Sequence, residues 1–195
     1  MIAKYLTISG MIATVAWFLW NPVGWVFEWE PIVAFIMSLA GFVTTEYQDY
    51  KSKKGDARNS KDKELFERFC NLLPSNEVME FIRYHDFLTE FKREKIQPLS
   101  DFSYEWDNAE HKFLNKKIEK CRENFLSAVH EFKEHIAEYT CPNNNGLQAV
   151  RVDSQKHDSV QEKRFRTEAS IINKSANKLY DLHQQLISLG RSKLT

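Results

Sequence analysis

The stretch YLTISGMIATVAWFLWNPVGWVF, residues 5–27, carries no charged side chain, and its first part, residues 6–20, is almost wholly apolar. A helix of that length can cross a bilayer. The sequence NPVG at residues 21–24 predicts a chain reversal, because Pro ends a helix and Gly relaxes the steric limits on the backbone. A second uncharged stretch, PIVAFIMSLAGFVTT, follows at residues 31–45. The pattern predicts a two-helix transmembrane hairpin over residues 1–50, with a short second span.

Aromatic and basic residues around the two apolar stretches predict the orientation of the hairpin. Trp and Tyr settle at the two membrane interfaces, and cytoplasmic flanks carry an excess of Lys and Arg. The turn carries only Glu28 and Glu30 as charged residues, whereas basic residues flank the outer ends of both stretches. We therefore expect a two-pass protein with both the N- and the C-terminus in the cytoplasm. The residues behind this pattern are Trp17, Trp20, Trp25 and Trp29 near the turn, Tyr5, Tyr47 and Tyr50 at the far ends, and Lys4, Lys51, Lys53, Lys54, Arg58, Lys61 and Lys63 in the flanks.

Two other interpretations explain the apolar stretches less well. A cleaved signal peptide would need a shorter apolar region, and no second apolar segment would be expected directly after it. A hydrophobic hairpin buried inside a soluble protein would not need Trp at one end and basic residues at the other. The transmembrane hairpin explains both features.

Small residues recur at helical spacing in both stretches and predict where the two helices touch. They are Ser9 and Ala13 in the first stretch and Ala34, Ser38 and Gly41 in the second. Small side chains let two helix backbones approach closely, so helix pairing or oligomerisation is expected through these faces.

The charge balance changes after residue 50. Residues 1–50 hold one Lys and four acidic residues, so the rest of the chain holds 26 basic residues, 23 acidic residues and all six His. The stretch YKSKKGDARNSKDK, residues 50–63, is polar, and its basic excess suits contact with anionic lipid headgroups. We assign residues 51–63 to a basic linker. Residues 64–195 form a single cytosolic helical sensor domain, because that length supports one buried core.

Apolar residues recur at helical spacing through the second part of the chain, which predicts an all-α fold: a transmembrane hairpin followed by a cytosolic helical bundle. Short helical pieces are expected at residues 60–73, 76–84 and 87–96, and Pro98 opens a further turn. Residues 147–152 are the one candidate strand.

Two long helices supply the expected core. The first is predicted from Asp107 to just before Pro142. The second is predicted from Ser159 to Gly190, and each begins at a capping-box pattern. The apolar stripes are Leu114, Ile118, Cys121, Phe125, Ala128, Phe132 and Tyr139 on the first helix, and Phe165, Ala169, Ile172, Ala176, Leu179, Leu186 and Leu189 on the second.

Catalytic and metal-binding signatures are missing from the sequence. HExxH, GxSxG and the Walker loop do not occur, and the six His and three Cys are dispersed. The pairs His85-Asp86 and His157-Asp158 suit either acid–base chemistry or helix capping, and capping is the commoner role of Asp at a helix boundary. We therefore expect no enzyme activity, no metal and no cofactor.

Candidate ligand contacts come from two clusters of basic residues, the first interleaved with aromatic rings. Guanidinium and imidazolium groups pair with phosphate, and aromatic faces stack on bases, so such residues suit a nucleotide. The second cluster also begins the last helix, whose N-terminus attracts anions. The alternative is a solvated helix face above an aromatic core stripe. The candidate residues are Arg83, Tyr84, His85, Lys92 and Arg93 in the first cluster and Arg164 and Arg166 in the second.

Three segments carry a resemblance to a known family: LPSNEVMEFIRYHDF (residues 73–87), FSYEWDNAEHKFLNKKIEKCR (residues 102–122) and IINKSANKLYDLHQQLISLGRSKL (residues 171–194). Together with the two apolar stretches, they resemble the small two-transmembrane membrane effectors of bacterial antiviral defence. The chain is most similar to the cyclic tetra-adenylate-gated effectors of type III CRISPR systems. The resemblance implies a homo-oligomer of the bacterial inner membrane whose soluble domain binds a cyclic oligoadenylate.

The expected function is therefore an antiviral membrane effector, in which ligand binding rearranges the oligomer and disrupts or depolarises the membrane. A ligand achieves this only if it binds one conformation better than the other. The expected partners are membrane lipid, the small cyclic nucleotide and further copies of the chain, and not duplex nucleic acid. The alternative is a membrane-tethered adaptor whose helical domain docks a protein partner and whose anchor only localises it.

Overall fold

The structure, a computed structural model, describes residues 2–19, 29–150 and 159–194. The described residues form mostly α-helices, so the fold class is all-α. The chain divides into two compact units, unit 1 (Met1–Ala57) and unit 2 (Arg58–Thr195). The elements are α1 (Ile2–Leu19), α2 (Glu30–Leu72), α3 (Val78–Tyr84), a 3₁₀ helix (Arg93–Ile96), α4 (Gln97–Glu105), α5 (Lys116–Tyr139), β1 (Cys141–Pro142), β2 (Gln148–Ala149) and α6 (Ser159–Leu194).

Within unit 1, small residues lie where α1 meets the first part of α2. A Cβ placed on Gly10 would lie 3.4 Å from Ser38 Oγ, and one placed on Gly41 would lie 3.5 Å from Thr7 Cγ2. The two pairs run in opposite order along the chain, so the helices are antiparallel. The predicted contact face is confirmed at Ser38 and Gly41, whereas both small residues predicted for the first helix are exposed.

The predicted hairpin is present as a pair of helices, and its predicted membrane-spanning character finds no support. Within the described ranges, no helix combines the length and the apolarity that crossing a membrane requires. The predicted chain reversal at residues 21–24 lies outside the described residues.

Residues 51–63, predicted as a linker, are helical and lie inside α2. The helix predicted to begin at residue 60 begins instead at Glu30. Residues 32–60 contain no Pro, and each of their two glycines, Gly41 and Gly55, costs a helix only about 1 kcal/mol. Asp62 in this stretch is buried. Its Oδ1 accepts a hydrogen bond from Leu114 N at 2.7 Å and its Oδ2 accepts one from Asn115 N at 2.8 Å, which ties α2 to the start of α5.

α5 begins after Asn115 and not near Asp107 as predicted. The side chain of Asn108 accepts backbone N–H bonds of 3.0 and 3.2 Å within its own turn, which holds that segment out of a helix. The Asn115 side chain then caps the helix by accepting a 3.0 Å bond from a backbone N–H of the first turn. Leu114, predicted in the core stripe, therefore precedes the helix and is 45% exposed.

The core of unit 2 is built around Phe69 of α2, whose side chain is fully buried. Its ring centroid lies 5.7 Å from that of Phe102, 5.6 Å from that of Trp106 and 5.7 Å from that of Phe125, all in edge-on geometry. α5 and α6 pack along each other beside this cluster. The predicted stripes are confirmed at the buried residues Ile118, Phe125, Ala128 and Phe132 of α5 and Ala169, Ile172, Ala176, Leu179 and Leu186 of α6.

A short β-hairpin follows α5, in the region where the sequence predicts its one strand. β1 and β2 are antiparallel, and the turn between them contains Gly146 at a φ of 75°, a conformation that favours glycine. The Asn143 side chain accepts backbone N–H bonds of 2.9 Å from Asn145 and Leu147. The backbone of Gln148 also exchanges two hydrogen bonds with Phe91, at 2.8 and 3.0 Å. These bonds fix the position of Gln148.

Gly190, predicted as the end of the last helix, lies inside α6, which continues to Leu194. A Cβ placed on Gly190 would overlap the ring of Phe66, which is buried in α2. Gly190→Ala should therefore lower the free energy of unfolding by about 1–3 kcal/mol. Urea denaturation of the full chain measures it.

The matched control is Gly55→Ala, because a Cβ placed on Gly55 meets no atom within 4 Å outside its chain neighbours and the nearby backbone of α2. This substitution should leave stability unchanged or raise it by up to about 1 kcal/mol. Equal stability of the Gly190→Ala and Gly55→Ala variants would contradict the close approach of α6 to Phe66.

Candidate ligand-binding cavities of unit 2

The first candidate cavity lies between the end of α3 and the middle of α6 and has a volume of about 220 Å³. It brings together three of the predicted ligand contacts, which follow one another along the chain. We call it the Arg83 cavity. Its lining residues are Ile82, Arg83, Tyr84, His85, Asp86, Asn173, Ala176 and Asn177.

Asp86 organises the turn beside the Arg83 cavity. Its Oδ1 accepts hydrogen bonds from Leu88 N at 3.0 Å and from Asn173 Nδ2 at 2.9 Å, and Asn173 Oδ1 accepts one from Phe87 N at 3.0 Å. Both hydrogen bonds to Asp86 lower the pKa of its carboxyl below the usual value, and the bond from Asn173 has the larger effect. Asp86 therefore serves as a turn cap, which was one of the two alternatives for the His85-Asp86 pair.

His85 is packed among aromatic rings. Its ring is stacked on Phe81 at a centroid distance of 4.6 Å and meets Phe87 edge-on at 5.0 Å. Burial lowers the pKa of His85 below its usual 6.5, which disfavours the imidazolium form at neutral pH. The predicted contact of His85 with a phosphate stays a prediction.

Arg83 is the cation of this cavity. Its guanidinium lies over the ring of Tyr180, 4.4 Å from the centroid, and 5.7 Å from the ring centroid of Tyr84. Stacking on an aromatic face leaves the edge of a guanidinium open to hydrogen-bond acceptors. Because Asp86 also lines the cavity, its formal charge is balanced.

The second candidate cavity, of about 330 Å³, lies between the 3₁₀ helix, α4 and the C-terminal end of α5, and the β-hairpin closes one side. It contains Arg93 from the predicted set. Among the described residues that line it, two are basic and none is acidic. We call it the Arg93 cavity. Its lining residues are Arg93, Ile96, Gln97, Ser100, Lys133, Ile136, Ala137, Thr140, Pro142 and Gln148.

A third cavity, of about 400 Å³, lies between α2 and the segment before α5. Its basic residues Lys61, Arg68 and Lys112 are matched by acidic neighbours that also line it, so it has no net preference for an anion. The one acid that is buried, Asp62, already accepts two backbone hydrogen bonds.

The remaining predicted contacts line none of these cavities. Lys92 is exposed beside Arg93. Arg164 pairs with Glu168 at 2.6 Å, and Arg166 pairs with Glu162 at 3.2 Å, both across one turn of α6. Exposed pairs of this kind contribute little stability. The predicted set is thus divided among two cavities and a charged helix surface.

Two polar residues of the Arg93 cavity, Lys133 and Gln148, were missed by sequence reasoning. Lys133 is one of many lysines on polar helix faces, and nothing in its local sequence marks it out. Gln148 stands between apolar residues in the one candidate strand, and that was the available signal. Within the described part of the chain, no group of three His, Cys, Asp or Glu residues is placed to hold a metal ion.

Comparisons with models of known families, with curated proteins and with solved structures give no match to this chain. The resemblance to the two-transmembrane membrane effectors therefore stays a prediction.

Proposed function

We propose that this chain is a membrane effector, in which unit 1 associates with a lipid bilayer and unit 2 binds a cyclic oligoadenylate. The observation that carries the proposal is the apolar surface of unit 1. Leu6 and Ile12 of α1 are 66% and 65% exposed, and Ile36 and Met37 of α2 are 58% and 71% exposed. An apolar surface of this kind marks a lipid or protein interaction site.

Polar features at the ends of the helices favour lipid as the occupant of that surface. Tyr5, Trp29 and Tyr47 are exposed near the ends of the apolar stretches, where amphipathic rings meet headgroups. Exposed lysines follow on α2, beginning at Lys51. In the finer form of the proposal, unit 1 is a two-pass hairpin of the bacterial inner membrane with both termini in the cytoplasm.

The ligand half of the proposal rests on the Arg93 cavity, which two basic residues line, and on the guanidinium of Arg83 at the Arg83 cavity. A cyclic oligoadenylate has one phosphodiester for each nucleotide, so arginine and lysine near a small cavity suit it. Binding would act on the membrane through a homo-oligomer, provided the ligand prefers one arrangement of the copies. The resemblance described above supplies the identity of this ligand.

Membrane association is tested by fractionation. Ile36→Asp should reduce the membrane-bound fraction of the full chain about tenfold or more after a high-salt wash, because a charge in an apolar span costs about 3 kcal/mol. Tyr104→Asp is the matched control, since Tyr104 is 88% exposed in unit 2, and it should fractionate like the unsubstituted chain. Recovery of the unsubstituted chain in the soluble fraction would contradict this half of the proposal.

Ligand binding is tested by calorimetric titration of the full chain in detergent with cyclic tri-, tetra- and hexa-adenylate. We expect one ring size to bind more tightly than the others, because the spacing between phosphates changes with the ring. Linear oligoadenylate of the same length is the control and should bind more weakly, since it loses conformational entropy on binding. If no ring size binds, the ligand half of the proposal fails.

A further inference from the structure

The Arg93 cavity has a side-chain amide donor that no described residue engages. Gln148 is 8% exposed and lines the cavity. Its Oε1 accepts a 3.1 Å hydrogen bond from Thr140 Oγ1, whereas its Nε2 has no hydrogen-bond partner among the described residues. Its two N–H groups are therefore available to an acceptor inside the cavity.

Two cations line the same cavity. The Nζ of Lys133 donates to Ser103 Oγ at 2.6 Å, and an ammonium group has two further N–H donors. Arg93 is exposed at the start of the 3₁₀ helix and has no ion pair within the described residues. The two charges come from separate elements, so the fold brings them together. An ionised acceptor is therefore favoured over a neutral one.

The remaining lining residues and the volume of the Arg93 cavity indicate what kind of molecule could carry the anionic group. Ile136, Ala137 and Pro142 add apolar surface to the lining of the cavity. The volume of about 330 Å³ lies at the small end of the range for ligand pockets. A small molecule with one charged group and one less polar part fits these conditions.

We infer that the Arg93 cavity binds the phosphate group of a small phosphate ester, through Arg93, Lys133 and the Nε2 of Gln148. Three donors of different kinds suit the several oxygens of a phosphate. The inference rests on the ligand half of the proposed function and assigns it to the Arg93 cavity, and not to the Arg83 cavity, whose formal charge is balanced. A phosphate ester reaches such a cavity either as a soluble nucleotide or as a lipid headgroup.

The test is calorimetric titration of the full chain in phosphate-free detergent buffer with two probes, AMP and glycerol 3-phosphate. Arg93→Ala and Lys133→Ala should each weaken binding of the preferred probe by about tenfold or more, because each removes a charge-assisted hydrogen bond. Lys92→Ala is the matched control. It removes an exposed charge next to Arg93 that does not line the cavity, and its affinity should equal that of the unsubstituted chain.

Tighter binding of AMP indicates a nucleotide, and tighter binding of glycerol 3-phosphate indicates a lipid headgroup; both support the site. The inference is overturned if neither probe binds at millimolar concentration, or if the Arg93→Ala and Lys133→Ala variants bind like the unsubstituted chain. Equal melting temperatures of the variants show that the fold is intact, and Lys133→Gln replaces Lys133→Ala if that variant does not fold.

Titration of the same variants with cyclic oligoadenylates separates the two proposals. If the Arg93→Ala and Lys133→Ala variants bind a cyclic oligoadenylate as tightly as the unsubstituted chain, the cavity assignment fails and the proposed function stands. If AMP binding depends on Arg93 while no cyclic oligoadenylate binds, the cavity assignment stands and the proposed ligand fails.

Discussion

Replacing Arg122 with Met should lower the free energy of unfolding by about 3–5 kcal/mol. Arg122 is 3% exposed, and its guanidinium donates to both carboxylate oxygens of Glu119, at 2.9 and 2.7 Å, and to the Trp106 carbonyl at 2.7 Å. Removing the arginine leaves Glu119 as an unpaired and largely buried charge. It also leaves a buried carbonyl without its donor. Urea denaturation of the full chain, with the free energy taken from the unfolding transition of unit 2, measures the loss.

A double variant distinguishes the cost of the orphaned charge from the loss of side-chain volume. Glu119→Gln in the Arg122→Met background should recover about half of the lost stability, because a neutral amide is cheaper to bury than an unpaired carboxylate. The amide oxygen can still accept the 2.8 Å bond that Phe113 N now donates to Glu119. A loss below about 1 kcal/mol for Arg122→Met alone would mean that the ion pair is not formed as described.

Acidification from pH 6.5 to pH 4 should remove about 3 kcal/mol of stability through His183 alone. His183 is fully buried, and its Nε2 donates to the Leu73 carbonyl at 3.0 Å, beyond the end of α2. Its Nδ1 accepts from Gln184 Nε2 at 3.2 Å. Burial lowers the pKa of His183 to about 4, so the folded protein keeps this imidazole neutral while the unfolded chain protonates it below pH 6.5.

The direction in which stability changes with pH follows from the number of protons that the folded and unfolded states bind. Between pH 6.5 and pH 4 the unfolded state takes up a proton that the folded state does not, so stability falls as the pH falls and levels off below pH 4. His183→Gln keeps a donor in place of the Nε2–H and cannot titrate. The difference between the two chains, measured by urea denaturation across this range, isolates His183 because the other titrating groups are unchanged. Parallel pH profiles would contradict the prediction.

The long helices could be predicted largely because their apolar spacing is local. Ser159 begins α6 as expected, and the buried faces of α5 and α6 follow the predicted stripes. The start of α5 could not be predicted, because two asparagines compete for it: Asn108 folds its side chain onto its own turn, and Asn115 caps the helix. Both have the same local chemistry, and only packing decides between them.

The end of the predicted linker shows a different limit of sequence reasoning. Asp62 stands in a polar, lysine-rich stretch that is typical of a solvated segment. It is nevertheless buried, because Leu114 and Asn115, far along the chain, supply its hydrogen-bond donors. Nothing in the residues near Asp62 indicates those partners. His183 is similar, since its place in the stripe between Leu179 and Leu186 indicates burial but not its bond to Leu73.

The two candidate cavities also differ in whether their residues are close together or far apart in the sequence. Arg83, Tyr84 and His85 are consecutive, so a local pattern could place them at one cavity. The Arg93 cavity joins residues of the 3₁₀ helix, α5 and β2, and only one of its three phosphate-binding candidates was predicted. The charge of a site can be estimated from composition, but which charges converge depends on the packing of distant elements.

One of the three cysteines, Cys141, is a natural attachment site for a fluorescent reporter of the Arg93 cavity. Cys141 is exposed in β1, directly before Pro142 of the cavity wall, whereas Cys70 and Cys121 are half-buried. Burial raises the pKa of the Cys70 thiol, which lowers its share of reactive thiolate. A maleimide dye should therefore label Cys141 first. Fluorescence from that position would follow the occupancy of the cavity in the native chain, with no engineered cysteine.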